Sequence, residues 1–108
     1  MMLDYYIGKL AQANYKIAIH PDGANIRLTS QADKILLISP DVIPNKHKKE
    51  FGRLVELLGR SYKEVEQLGK GLHPYKIHGI RNATAAKYIK LLIDIQETLE
   101  LTKASRVD

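Results

Sequence analysis

The histidines His20, His47, His73 and His78 are the residues that metal or acid–base chemistry would need first. Zinc and related ions take ligands at defined spacings. His20 falls in a turn signal. His47 sits among Lys46, Lys48 and Lys49, whose charges repel a metal cation. His73 and His78 are five apart, which does not place both on one helix face, and no H-E-x-x-H run occurs. Cys is absent, so there is no thiolate nucleophile, thiolate cluster or disulfide framework. Glu64 and Glu66 point apart on a helix, while Glu97 and Glu100 share an exposed face at i, i+3. Gly69-Lys70-Gly71 lacks the full G-x-x-x-x-G-K-[ST] phosphate loop and reads as a helix stop. Asn82-Ala83-Thr84 matches a glycosylation sequon and reads as a helix cap. No catalytic residue, metal or cofactor is expected, and the chain does not read as an enzyme.

Charge is the stronger signal. The 108 residues carry 17 basic and 12 acidic groups, a net +5. Residues 1–43 are balanced at net 0, residues 44–91 hold eleven basic groups against four acidic for net +7, and residues 92–108 are net −2. A positive field concentrated in one half suits a polyanion, because phosphate contacts release counterions and dominate affinity. A hydrophobic fraction of 44% with 27% charged residues fits a globular domain rather than wholesale disorder. No apolar run approaches the roughly 20 residues that span a bilayer. The N-terminus shows no basic flank before a long apolar run, so no signal peptide is expected. Together with the lack of Cys, this points to a cytoplasmic protein without a membrane role.

The elements that must position these charges can be read from periodicity. Leu3, Tyr6, Ile7 and Leu10 form one face of a helix over 3–13, with Asn14 as its breaker. Tyr15, Ile17 and Ile19 alternate as in a strand, and His20-Pro21-Asp22-Gly23 is a strong turn signal. Ile26 and Leu28 alternate with Asn25, Arg27 and Thr29 as a second strand, and Ser30-Gln31-Ala32-Asp33 reads as a turn. Lys34–Ser39 is the third strand. Pro40 and Pro44 place a connector at 39–45. Beyond it Phe51, Leu54, Val55 and Leu58 make a helical stripe over 45–58, ended by Gly59. Ser61 and Glu64 form a capping box for a short helix at 62–68. His73-Pro74 opens another, with Ile77 and Ile80 inward. A long helix over 84–103 carries Ala85, Tyr88, Ile89, Leu92, Ile95 and Leu99. Its additional Leu91, Ile93 and Leu101 make it apolar on more than one side, as in a deeply buried helix or one that pairs with another chain. The expected fold is therefore α+β in one domain, 1–108. An N-terminal helix and three-stranded antiparallel sheet (1–43) precede a basic helical half (44–108).

The spacing of Gly71, Ile77 and Ile80 after the capped helix at 62–68 resembles the turn and second helix of helix-turn-helix DNA-binding domains. The resemblance covers residues 61–82. It implies that the exposed positions of the second helix enter the major groove. Those positions here are Tyr75, Lys76, Gly79 and Arg81, with His78 at the edge. Lys76 and Arg81 would approach guanine edges or phosphates, and Tyr75 a phosphate.

The resulting expectation is a small basic nucleic-acid-binding protein acting on double-stranded DNA in transcription regulation. Lys46, Lys48, Lys49, Lys87 and Lys90 would hold the backbone and Lys76 and Arg81 would approach the bases, with Tyr75 on a phosphate and His78 at the edge. A homodimer through the C-terminal helix is a further expectation. The rival reading is a protein-interaction module, an inhibitor or adaptor of an acidic or nucleic-acid-handling partner. RNA binding ranks below both, because Tyr15 is the single aromatic on the expected strands.

Overall fold

A computed structural model describes residues 2–20, 23–68 and 81–105, with side chains described for 3–20, 23–59 and 81–105. The face opened by Leu3, Tyr6, Ile7 and Leu10 does not stop at Asn14. Ala13 and Ile17 continue it at i+3 and i+7 from Leu10, and all three are buried. Helix α1 accordingly runs Met2–Ile19. The apparent alternation of Tyr15, Ile17 and Ile19 is a helix seen on two sides: Ile17 is buried, while Tyr15 and Ile19 are 65% and 61% exposed.

The second expected strand is also helical, and the third, Lys34–Ser39, is the end of a helix followed by a turn at 36–38. Leu28, Ala32 and Ile35 fall at i, i+4, i+7 and are buried, as is Ile38. This period is divided between α2 (Ala24–Thr29) and α3 (Ala32–Ile35). The three-stranded sheet and the β-rich half at 1–43 are therefore corrected: the described residues contain no strand, and the architecture is all-α. Local hydroxyls help the short helices form. Thr29 Oγ1 donates to Ile26 O and Ser30 Oγ to Arg27 O. Arg27 Nε donates to Ile17 O at 2.8 Å, satisfying one of the carbonyls that the end of α1 leaves without a helical partner. The turn signal at 20–23 lies partly outside the described residues, at Pro21 and Asp22. Gly23 follows it as the extended N-cap of α2.

The prolines do interrupt the chain, but they join helix to helix. Ser39 Oγ accepts from Asp41 N at 3.3 Å and caps a single 3₁₀ turn, Pro40–Val42. Helix α4 then spans Asn45–Leu68 without a break. The expected stop at Gly59 and the separate capped helix at 62–68 are corrected as well: Gly59 and Ser61 are interior to α4. The roughly 1 kcal/mol that Gly costs inside a helix is small beside the burial of Phe51, Leu54 and Leu58 on the same element. Helix α5 runs Asn82–Ser105, close to the expected 84–103.

One apolar cluster unites these elements, drawing Leu10 and Ile17 from α1, Leu28 from α2, Ile35 from α3, Leu54 from α4 and Leu92 from α5. Helices α1 and α5 are antiparallel. Asp4, at the start of α1, pairs with Lys103 at the end of α5, and Asn14 Nδ2 donates to Leu92 O at 3.2 Å and Gln96 Oε1 at 2.7 Å. Asn14, expected to break α1, instead fastens its middle to α5. Asn14→Ala removes both bonds and is expected to cost about 1–2 kcal/mol of stability, measured by urea unfolding.

Lys103 holds the Asp4 carboxyl below its ordinary value by hydrogen bond and charge. A depressed carboxylate contributes stability that is present above its unfolded pKa and lost as pH falls through the folded value. Both partners are exposed, so the contribution is small. Lys103→Met is expected to return Asp4 upward to ordinary carboxylate titration, read from its side-chain NMR shift against pH.

Candidate nucleic-acid interface

Helix α4 opens on Asn45, Lys46, His47, Lys48 and Lys49, with no acidic residue in its first turn. Cations there oppose the helix dipole and leave the N-terminal end strongly positive. Helix α5 also lacks an acidic residue in its first turn, and Arg81 precedes it. The start of α5 lies beside α2, through Asn82 and Asn25, while the start of α4 meets α5 further along, at residues 87–94. The first turns of α4 lie against α5 across a cleft of about 240 Å³ lined by His47, Glu50, Lys87, Tyr88, Lys90 and Asp94, with Leu91 at its apolar wall. The Nε2 atom of His47 is buried there without a hydrogen-bond partner.

Lys46, Lys49 and Arg53 recur at i, i+3, i+7 and are all exposed, so they form one cationic stripe along α4. Glu50 stands between this stripe and α5. Its Oε1 accepts from Arg53 Nη1 at 3.1 Å, and its Oε2 is 3.9 Å from Lys87 Nζ. The cationic shoulder is thus joined across the two helices and partly neutralised at its centre. Asp94 adds a second carboxylate to the cleft.

The expected site residues separate into three groups. Lys87 and Lys90 on α5 are exposed and line the cleft, and Lys46 and Lys49 are exposed on the α4 stripe next to its lining residues His47 and Glu50. Lys48 is exposed too but lines a different cleft, of about 150 Å³, beside Pro40, Asp41, Ile43 and Phe51. Arg81 is exposed, and its backbone oxygen accepts from Ala85 N in the first turn of α5. Tyr75, Lys76 and His78, with the rest of the expected turn and second helix at 69–80, lie outside the described residues.

Two features were missed by spacing alone. Asn82, expected as a cap for α5, accepts from Asn25 N at 3.1 Å through Oδ1, so its side chain serves the first turn of α2. A second cationic spot joins α1 to α3. The Lys16 amine, within hydrogen-bonding reach and carrying like charge, holds the Lys34 ammonium below its ordinary value. Residues eighteen apart in sequence give no periodic signal for such a pair. Among the described residues no group of His, Asp or Glu is arranged to hold a metal ion, and no helix is long and apolar enough to cross a membrane. No family model, curated protein or solved structure matches the chain.

Proposed function

We propose that this chain binds nucleic acid, most simply the backbone of double-stranded DNA, through the shoulder where the start of α4 meets residues 87–94 of α5, and that it acts as a cytoplasmic regulator of transcription. The observation that carries this reading is the start of α4, without a first-turn acid and with Lys46 and Lys49 exposed on it, set against Lys87 and Lys90 of α5 across one cleft. The dipole of α4 and the lysines then present positive charge to the same phosphates. Base reading falls to residues 75–81, following the resemblance to helix-turn-helix domains, with the end of α4 serving as the first helix. Lys48 stands apart and contributes less.

Fluorescence anisotropy with a labelled duplex tests the assignment. Replacing Lys46, Lys49, Lys87 and Lys90 together by Gln is expected to abolish most binding, while Lys48→Gln changes it little. Equal losses from both, with the fold intact by circular dichroism, would remove the assigned face. Glu50→Gln supplies a test of opposite sign. It deletes the carboxylate that offsets Arg53 and Lys87, so affinity is expected to rise about three- to tenfold at low salt.

A protein-interaction module remains the second reading. It is favoured by large apolar side chains left exposed on α1 and α5, among them Tyr15, Ile19 and Leu101. It predicts tight binding to one protein and little salt-sensitive affinity for DNA.

A further inference from the structure

Over its described side chains, residues 45–59, helix α4 carries a polar outward stripe of Lys46, Lys49, Arg53 and Glu56. Helices α1 and α5 differ. Each buries one apolar face in the core and carries large apolar groups on the other. On α1 the exposed positions Tyr5, Gly8, Gln12, Tyr15 and Ile19 recur at i, i+3, i+7, i+10, i+14. This seven-residue repeat is the spacing by which one helix packs along another. On α5 the exposed Ile93, Glu97 and Leu101 fall at i, i+4, i+8.

The register between the helices places these two outer stripes at matching heights. Asp4 meets Lys103, and Asn14 meets Leu92 and Gln96. By the same register Tyr15 is level with Ile93, Leu101 is level with Gly8, and Lys9 is level with the span from Glu97 to Glu100. The side of α1 that turns from the core past Asp4 and Ala11 toward Tyr15 adjoins the side of α5 that turns past Glu100 toward Ile93 and Glu97. The antiparallel pair therefore forms a layer with an open outer surface whose large apolar groups are Tyr5, Tyr15, Ile19, Ile93 and Leu101.

We infer that this outer surface of α1 and α5 binds a second copy of the chain, two such layers closing face to face into an antiparallel four-helix bundle. A twofold axis parallel to the helices sets α1 of each copy over α5 of the other at unchanged height. Tyr15 then meets Ile93 of the second copy. Leu101 enters the space beside Gly8, where an added Cβ would find no atom within 4 Å. The charges match as well. Lys9 lies over the Tyr5 ring at 5.4 Å on the edge of α1 away from its own α5, and comes opposite Glu97 of the copy. Both halves of this complement are on one chain, which favours a copy over a foreign partner, and the two-helix layer closes without an open end. The inference extends the self-association read from the C-terminal helix by adding α1 and a geometry, and it stands whether or not the chain binds nucleic acid.

Sedimentation equilibrium of the full chain across a wide concentration range, without nucleic acid, tests it. A reversible dimer is expected, and Ile93→Glu with Leu101→Glu should leave a monomer whose circular dichroism is unchanged, since both side chains are exposed. Lys9→Glu should weaken the dimer about tenfold or more, and Lys9→Glu combined with Glu97→Lys should restore it. A wild-type monomer throughout, a dimer indifferent to the Glu substitutions, or a failure of the paired reversal to restore association overturns the proposal. Duplex binding by the monomeric variant separates this result from the proposed function.

Discussion

Leu92→Ala is expected to lower the free energy of unfolding by about 2–5 kcal/mol, a large part of the 5–15 kcal/mol typical of a domain this size. Leu92 has no exposed surface and belongs to the cluster that joins α1, α2, α4 and α5. Its removal costs the transfer energy of the lost methyls and leaves a cavity between helices that cannot close without breaking register. That register is fixed close by, because Asn14 bonds to Leu92 O and Gln96 Oε1. Chemical denaturation followed by circular dichroism measures the loss. Leu37→Ala provides the contrast: Leu37 is 69% exposed, and the same truncation there should fall within about 0.5 kcal/mol. Similar losses at both sites would mean that Leu92 does not sit in the centre of a packed core.

The sequence and the fold agree where one period runs long enough to be unambiguous. The stripes of α4 and α5 gave helices of nearly the observed extent in α5, and the core residues Phe51, Leu54, Leu58, Leu92, Ile95 and Leu99 are all buried. They part over residues 15–39. Short segments rich in Ile and Leu satisfy a strand pattern and a helix pattern at once. Tyr15, Ile17 and Ile19 show why. Isoleucines favour strands on average, but Ile17 continues the face of Leu10 and Ala13, and tertiary packing overrides the local preference. The outward Tyr15 and Ile19 completed a false alternation, because exposed apolar residues were counted as core.

Gly59 misled in the opposite direction. A glycine followed by Ser61 and Glu64 has the chemistry of a stop and a restart, yet α4 passes through it. Capping is worth about 1 kcal/mol, too little to break a helix held on both sides by its own hydrogen-bond ladder. In the candidate interface, the lysines were legible from composition. The cleft that sets Lys87 and Lys90 against the start of α4 was not, since tertiary packing alone makes it. Glu50 was equally hidden: its role as a bridge between Arg53 and Lys87 follows from where α5 passes, which no spacing within α4 encodes.

The second large effect concerns salt. Each phosphate neutralised by a lysine releases counterions, so the logarithm of the binding constant falls with the logarithm of salt concentration by about 0.9 per contact on duplex DNA. Four contacts, from Lys46, Lys49, Lys87 and Lys90, correspond to a slope contribution of about −3.6, or roughly a hundredfold loss of affinity between 50 and 200 mM salt. The direct measurement is this slope for the wild-type chain and for the variant with all four lysines replaced by Gln, on the same duplex. The slope is expected to become shallower by about three to four in the variant, while Lys48→Gln leaves it nearly unchanged. A wild-type slope close to zero, or one that the fourfold replacement does not alter, would contradict the assignment of this shoulder to nucleic acid.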